Sequence, residues 1–174
     1  HRRHLTTETR APIFADLLES HADDADPEQL ATAYREAVTS PLVPVDGVES
    51  LLGDLREAYR LGLLTNGPVR AQRSKIEFLG WEPLFDTTLV TGELDAGKPD
   101  SAAFEALLAE LGTAPAETVF VGDTPDEDIV GANAVGIHTV QVLYDGGPQR
   151  DGSADATVER DQLAAELPAI IAGL

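Results

Sequence analysis

The sequence contains no cysteine and no methionine, and its only lysines are Lys75 and Lys98. The absence of cysteine excludes disulfides, thiolate nucleophiles and cysteine-based metal sites. No apolar run approaches the length needed to cross a bilayer, and residues 1–4 lead into a mixed polar segment rather than the apolar core of a signal peptide. We therefore expect a soluble, cytoplasmic protein that makes no use of a membrane.

Basic residues are scarce throughout the chain, with 12 against 31 acidic residues and a formal net charge of −19. Nucleic acid backbones are bound by clustered lysine and arginine, so this balance argues against nucleic acid as a partner. Such an excess of carboxylate repels itself in dilute buffer, whereas a Debye length of about 3 Å at 1 M salt screens the repulsion. The composition therefore predicts a protein adapted to a high-salt cytoplasm.

Apolar residues make up 43% of the 174 positions, which fits one globular domain and part of a second. Residues 6–40 predict two amphipathic helices, broken by the acidic stretch 22–27. Pro41 and Pro44 then favour an extended chain and indicate a domain boundary.

A strict alternation of helix and strand follows this boundary. Asp100 is placed to cap one of the helices, and Gly112 is placed to end it. A loop is expected over 145–154, with a final helix from about Gln162. The alternation is typical of the α/β class, here a Rossmann-like, doubly wound parallel sheet with helices on both faces. Its strands are predicted at 61–64, 87–90, 118–121 and 138–143.

The residues that follow each strand are the candidates for chemistry, because ligands bind at the carboxyl ends of the strands in such sheets. Thr65, Asn66 and Gly67 follow the first strand and run into a helix. A hydroxyl, an amide and a flexible glycine at a helix N-terminus suit a phosphate group. The alternative interpretation is a plain turn.

The second strand is followed by a segment that superficially resembles a nucleotide-binding P-loop. Gly92 to Lys98 fit the first seven positions of that motif, but Pro99 stands where a Ser or Thr should reach Mg²⁺. Glu93 and Asp95 would also bring negative charge to a polyphosphate. We therefore interpret Lys98 as the cation that neutralises a phosphate and a neighbouring carboxylate, against the alternative of a solvated lysine.

The third strand ends in Gly122 and Asp123, with further carboxylates up to Asp128. Carboxylate oxygens at a strand tip are the ligands that Mg²⁺ prefers. Acidic clusters are common on a surface this acidic, and the position of Asp123 directly after a buried strand is what favours a metal ligand.

These three sites, in this order, resemble motifs two, three and four of the haloacid dehalogenase-like hydrolase superfamily. The matching segments are Leu-Leu-Thr-Asn-Gly at 63–67, Gly-Lys-Pro-Asp at 97–100 and Val-Gly-Asp-Thr-Pro-Asp-Glu-Asp-Ile at 121–129. The resemblance covers about residues 44–143. It implies a capped, phosphatase-type member of the superfamily.

The resemblance also implies a role for each matching residue. Thr65 and Asn66, with Gly67, would hold the transferring phosphoryl group, and Lys98 would fix both the nucleophile and the substrate phosphate. The implied metal residues are Asp123, which would bind Mg²⁺, and Asp128, which would support the metal or its waters. The implied reaction is Mg²⁺-dependent hydrolysis of a small phosphorylated metabolite through an aspartyl-phosphate. The acidic fourth motif favours this over the metal-independent dehalogenases of the same fold.

The first motif of the superfamily, an Asp-x-Asp pair after an apolar strand, is absent. The triplet Asp24-Ala25-Asp26 lies in a polar break with no strand before it. The resemblance implies that residues 1–41 are the second half of a small α-helical cap and that 42–174 are the core domain without its first strand. That strand belongs between the strands ending at Thr65 and Gly122.

Two unpaired inner strand edges would leave backbone groups unsatisfied. We therefore expect the sequence to be an incomplete piece of a longer protein, or the strand to come from another polypeptide.

Two other functions stay open from the sequence. One is a non-catalytic binding or regulatory module of the same fold, which has lost its nucleophile. The retained Thr65, Lys98 and Asp123 favour the phosphatase over this module. The other is a P-loop nucleotidase, which Pro99 disfavours.

Overall fold

The computed structural model describes residues 9–21, 25–39 and 42–174. Two helices come first, α1 at Ala11–His21 and α2 at Pro27–Thr39. They pack against each other, with the rings of Phe14 and Tyr34 edge to face at 5.9 Å between centroids. The predicted helix pair is therefore present. Asp24 of the acidic break and Pro41 of the predicted boundary lie outside the described residues.

Helices and strands alternate through the rest of the chain. A π-helical segment, Pro125–Val130, directly precedes α6. No helix of the described residues has both the length and the apolar character needed to span a bilayer. The elements are α3 Val48–Arg56, β1 Gly62–Thr65, α4 Val69–Leu79, β2 Thr87–Val90, α5 Ser101–Leu111, β3 Val119–Gly122, α6 Gly131–Ala134, β4 His138–Leu143, β5 Ala156–Glu159 and α7 Leu163–Ile171.

All strand pairings are parallel, as the alternation predicts. Strand β1 pairs with β2, from Gly62 opposite Thr87 to Thr65 opposite Val90. Strand β4 lies between β3 and β5. The four predicted strands are confirmed, two of them one residue later than expected. The sequence analysis missed β5, a four-residue strand in which only Val158 is buried, so it carries almost no apolar signal.

The strands form two separate sheets, β1-β2 and β3-β4-β5. Within residues 9–21, 25–39 and 42–174, no strand joins β1 to β3. This is the position at which the family resemblance places a further strand.

The core has two apolar clusters, one on each face of the strands. Side chains alternate between faces along a strand, so Phe120 of β3 packs with α5 while Val119 and Val121 pack with α3 and α7. Helices therefore cover both faces, which confirms the predicted doubly wound α/β architecture. The first cluster contains Leu64, Leu89, Ala103, Phe104, Leu107, Leu108, Leu111, Phe120, Ala132 and Ile137, and the second contains Leu51, Leu55, Val140, Val158 and Leu167.

Helix α5 shows how local sequence positions the core. The carboxylate of Asp100 accepts a hydrogen bond from Ala102 N at 3.0 Å, and Gly112 ends the helix in the left-handed conformation with φ 64°. A Cβ at Gly62 would lie 2.9 Å from both Leu107 and Leu111. The glycine at the start of β1 therefore allows α5 to pack directly on the strand.

Candidate functional site

The tips of β1, β2 and β3 carry the residues singled out in the sequence. Thr65 is the last residue of β1, Lys98 lies in the loop that follows β2, and Asp123 comes directly after β3. Hydrogen bonds between these loops bring Asn66, Lys98 and Asp128 together. The parallel arrangement explains this, because the carboxyl ends of parallel strands meet at one edge.

The side-chain amide of Asn66 links three loops. Its Oδ1 accepts a hydrogen bond from Lys98 N at 2.9 Å, and its Nδ2 donates to Lys98 O at 2.9 Å and to Glu127 Oε2 at 2.8 Å. The amide thus holds the backbone of Lys98 at two points. Glu127 was missed in the sequence analysis, and its place beside Asp128 in the fourth motif is the signal that could have identified it.

Lys98 and Asp128 form a buried ion pair. The Nζ and Oδ1 atoms lie 2.5 Å apart, and the two residues are only 8% and 4% exposed. The other oxygen, Asp128 Oδ2, accepts hydrogen bonds from the backbone N–H groups of Asp123 and Thr124 at 3.1 and 3.0 Å. Lys98 is therefore not a solvated lysine, and Asp128 fixes both the lysine and the turn that presents Asp123.

Gly122 makes this arrangement possible. A Cβ at this position would lie 2.5 Å from three side-chain atoms of Asp128. No real Cβ tolerates such a contact, so the end of β3 has to be glycine for Asp128 to reach beneath the turn.

The loop after β1 is held to the loop after β2. The backbone N–H of Gly67 donates to Oγ1 of the buried Thr91 at 3.1 Å, and Gly92 N donates to Gly67 O at 3.2 Å. The Gly67 amide is therefore engaged within the protein. By contrast, the half-buried Thr65 hydroxyl makes no hydrogen bond to the described residues, which leaves it available to a ligand.

Asp123 has a tyrosine partner. Tyr144, the first residue after β4, donates its hydroxyl to Asp123 Oδ2 at 3.2 Å. This hydrogen bond and the negative charge of the carboxylate raise the pKa of Tyr144. The ring of Tyr144 lies under the guanidinium of Arg160 at 5.0 Å. Tyr144 was missed in the sequence analysis, although it follows a strand of the same sheet as Asp123.

The fit of these residues to Mg²⁺ rests on Asp123. Among the described residues, no group of three or more His, Asp or Glu side chains is arranged to hold a metal. Both oxygens of Asp128 are engaged, whereas Asp123 Oδ1 makes no hydrogen bond to the described part of the chain. Mg²⁺ is commonly held by one or two carboxylates, with water and substrate phosphate completing the shell. Asp123 therefore fits Mg²⁺ as a single carboxylate ligand.

The P-loop alternative has little geometric support. Lys98 Nζ is bound to Asp128, and Glu93 pairs with Arg73 at 3.0 Å. The N-terminus of α5 is already occupied by the carboxylate of Asp100. A polyphosphate at this loop would meet that carboxylate instead of free N–H groups.

Comparison with known proteins gives matches over most of the chain. A family model described as a haloacid dehalogenase-like hydrolase matches residues 3–136. Over 136 residues the chain is 36% identical to a phosphoserine phosphatase of Thermus thermophilus, which covers 76% of this chain and 54% of that protein. Over 160 residues it is 34% identical to a ribulose-1,5-bisphosphate 5-phosphatase of Halopiger xanaduensis, which covers 90% of this chain and 64% of that protein.

A solved structure shares the fold. The HAD-hydrolase YfnB of Bacillus subtilis, solved bound to magnesium, matches with a TM-score of 0.73 at 25% identity, over 91% of this chain and 69% of that chain. The chain thus spans between half and two thirds of the length of the two curated relatives.

Proposed function

Because the chain belongs to the haloacid dehalogenase-like hydrolases, we propose that it supplies most of the active site of a Mg²⁺-dependent phosphatase acting on a small phosphorylated metabolite. The two relatives named above are both phosphatases of small metabolites by name, which supports the substrate class. Magnesium in the YfnB structure supports the metal.

The observation that carries the proposal is the buried Lys98–Asp128 pair tied to Asn66. A lysine fixed at a strand tip by an ion pair and by two backbone hydrogen bonds presents a positive charge in one place. The ammonium group has three protons, and its contact with Asp128 uses one of them. The others suit the oxygens of a phosphoryl group, as does the hydroxyl of Thr65, which makes no hydrogen bond to the described residues.

We assign the roles accordingly. Thr65 and Lys98 bind the transferring phosphoryl group, and Asp123 ligates Mg²⁺. The contacts of Asn66 and Asp128 support positioning roles, since their polar atoms hold Lys98 and the turn before Asp123. Gly67 supports the phosphate loop through its bonds to the loop after β2.

In the proposed reaction an aspartate carboxylate attacks phosphorus, the bond from phosphorus to the leaving oxygen breaks, and that oxygen takes a proton from solvent to leave as the alcohol. Water then attacks the phosphorus of the aspartyl-phosphate and returns a proton to solvent, which releases inorganic phosphate and regenerates the carboxylate. Mg²⁺ held by Asp123 would offset the repulsion between the attacking carboxylate and the phosphate. We expect the nucleophilic aspartate on a strand that pairs between β1 and β3, where the two sheets separate.

We also propose the domain division of the sequence analysis. Residues 1–41 belong to a helical cap, and 42–174 form the core. The mutual packing of α1 and α2 supports this, since these two helices contact each other more than α2 contacts α4 of the core.

Hydrolysis of an aryl phosphate by the full-length protein in molar KCl, with and without Mg²⁺, tests the proposal. We expect Mg²⁺-dependent turnover that falls at least about 100-fold in Asp123→Asn. Loss of a residue that hydrogen-bonds a metal ligand lowers activity by about 10- to 100-fold, and loss of the ligand itself should lower it more. Asp126→Asn, an exposed neighbour in the same motif, is the matched control and should keep wild-type activity.

Two results would contradict the proposal. Turnover that needs no Mg²⁺ and is unchanged in Asp123→Asn would show that the reaction does not take place at this site. A folded full-length protein with no turnover of any phosphate ester would favour the non-catalytic binding module.

A further inference from the structure

Asp123 is held through both its backbone and its side chain. Its backbone N–H donates to Asp128 Oδ2 at 3.1 Å, and its own Oδ2 accepts a hydrogen bond from the Tyr144 hydroxyl at 3.2 Å. Within the described ranges, no other side chain donates to this carboxylate. Tyr144 is therefore the side chain that sets the orientation of the Asp123 carboxylate.

The ring of Tyr144 is itself fixed in place. Tyr144 follows β4, which pairs with β3 as far as Gln141 opposite Gly122. The guanidinium of Arg160 lies over the ring, 5.0 Å from its centroid. Gly147 packs against the same ring, since a Cβ at this glycine would lie 2.7 Å from two ring atoms. The hydroxyl is thus aimed at Asp123 by the packing of the ring.

The loop that carries Gly147 is tied back to the sheet. The backbone N–H of Gly147 donates to Tyr144 O at 2.9 Å. Further along, the fully buried side chain of Gln141 donates to Gln149 O at 3.0 Å and accepts from Asp151 N at 2.7 Å. A buried amide with both polar atoms engaged holds the loop on β4. Tyr144 therefore stands between two anchored segments and loses little freedom when a ligand binds nearby.

We propose that Tyr144 is a positioning residue for the metal: its hydrogen bond fixes the Asp123 carboxylate so that Oδ1 is kept available for Mg²⁺. This inference rests on the proposed function, in which Asp123 ligates Mg²⁺. Partners that hydrogen-bond a ligating carboxylate fix its orientation, and their loss lowers metal affinity or activity by about 10- to 100-fold. A tyrosine suits this role because its hydroxyl donates a hydrogen bond without adding a positive charge that would repel the cation.

Metal binding by the full-length protein in molar KCl tests the inference, with Mn²⁺ alone as the probe and free Mn²⁺ measured by electron paramagnetic resonance. In Tyr144→Phe we expect the Kd for Mn²⁺ to rise about tenfold or more. This substitution removes only the hydroxyl and keeps the ring that packs on Gly147 and Arg160. Thermal midpoints without metal verify that each variant is folded.

Tyr59→Phe is the matched control. Tyr59 is 45% exposed, and its hydroxyl makes no hydrogen bond to the part of the chain that the structure describes. The same loss of one phenolic hydroxyl should therefore leave the Kd for Mn²⁺ unchanged.

The Mg²⁺ dependence of aryl phosphate hydrolysis provides a second measurement. In Tyr144→Phe the Mg²⁺ concentration for half-maximal turnover should rise about tenfold, as the loss of affinity requires. Saturating Mg²⁺ should then restore turnover in Tyr144→Phe but not in Asp123→Asn, which lacks the ligand itself.

The outcomes separate this inference from the proposed function. Mn²⁺ binding that is weakened by both Tyr144→Phe and Asp123→Asn, without turnover of any phosphate ester, would reject the phosphatase and keep the positioning role. Binding that is weakened by Asp123→Asn but not by Tyr144→Phe would overturn the positioning role and leave the phosphatase. Binding that neither substitution affects would overturn both the positioning role and the assignment of Asp123 as a ligand.

Discussion

Lys98 and Asp128 depend on each other at the residue scale. Taking a charge out of water costs several kcal/mol per ion, and here the 2.5 Å contact and two backbone N–H groups offset that cost. Removing one partner leaves the other as a buried charge without its counter-ion.

Lys98→Met is therefore expected to lower the free energy of unfolding by about 3–5 kcal/mol. The double variant Lys98→Met/Asp128→Asn should cost less than the sum of the two single changes, because no uncompensated charge is left. Urea denaturation at constant salt measures the free energy of unfolding of the wild type, the two single variants and the double variant. Arg73→Met is the control: it breaks the partly exposed pair of Arg73 with Glu93 and should lower the free energy of unfolding by about 1 kcal/mol or less. Additive single effects would show that Lys98 and Asp128 are not coupled.

The sequence located the residues at the strand ends but not their contacts. Thr65, Lys98 and Asp123 follow from the rule that parallel strands end at one edge. Tyr144 also follows a strand and Glu127 lies beside Asp128, but their hydrogen-bond partners Asp123 and Asn66 lie 21 and 61 residues away and could not be predicted from the sequence. Such contacts depend on how the loops meet after folding.

Helix α5 is the element on which the first apolar cluster depends. Phe104 is fully buried, and its ring packs edge to face on Phe120 at 5.2 Å between centroids. Removing a large side chain from such a position loses burial and leaves a cavity.

Phe104→Ala is expected to destabilise the protein by about 3–5 kcal/mol, measured by chemical denaturation. Phe78→Ala is the matched control, since Phe78 is 54% exposed, and it should have a much smaller effect. Equal losses from the two changes would contradict the assignment of α5 as a core element.

Strong periodic elements were predictable at this scale, and weak ones were not. Strands β2 and β4 were placed at their observed bounds because each is a short apolar or β-branched run. Residues 125–130 form a π-helix that sequence periodicity does not distinguish from an ordinary helix. This segment carries both Glu127 and Asp128, and π-helical turns are frequent at functional sites.

Net charge acts on the molecule as a whole. With a formal charge of −19, the folded chain repels itself more than the expanded chain does, and salt screens that repulsion.

The thermal midpoint is therefore expected to fall by several degrees between molar and millimolar KCl, a shift worth about 1–3 kcal/mol for a chain of this size. Circular dichroism of the full-length protein measures it. The salt dependence should shrink toward the isoelectric point of about 4.3, where the net charge vanishes. A midpoint that does not fall at low salt would reject adaptation to high salt.

The sequence by itself determined the α/β class, the order of most elements and the edge of the sheet that carries the site. These depend on local periodicity, caps and turns, which act over a few residues. Only the tertiary structure decided that Lys98 is buried against Asp128 and that the side chain of Asn66 holds the backbone of Lys98. These contacts join residues 30 and 32 positions apart, whose approach is set by packing of the whole chain rather than by any local pattern.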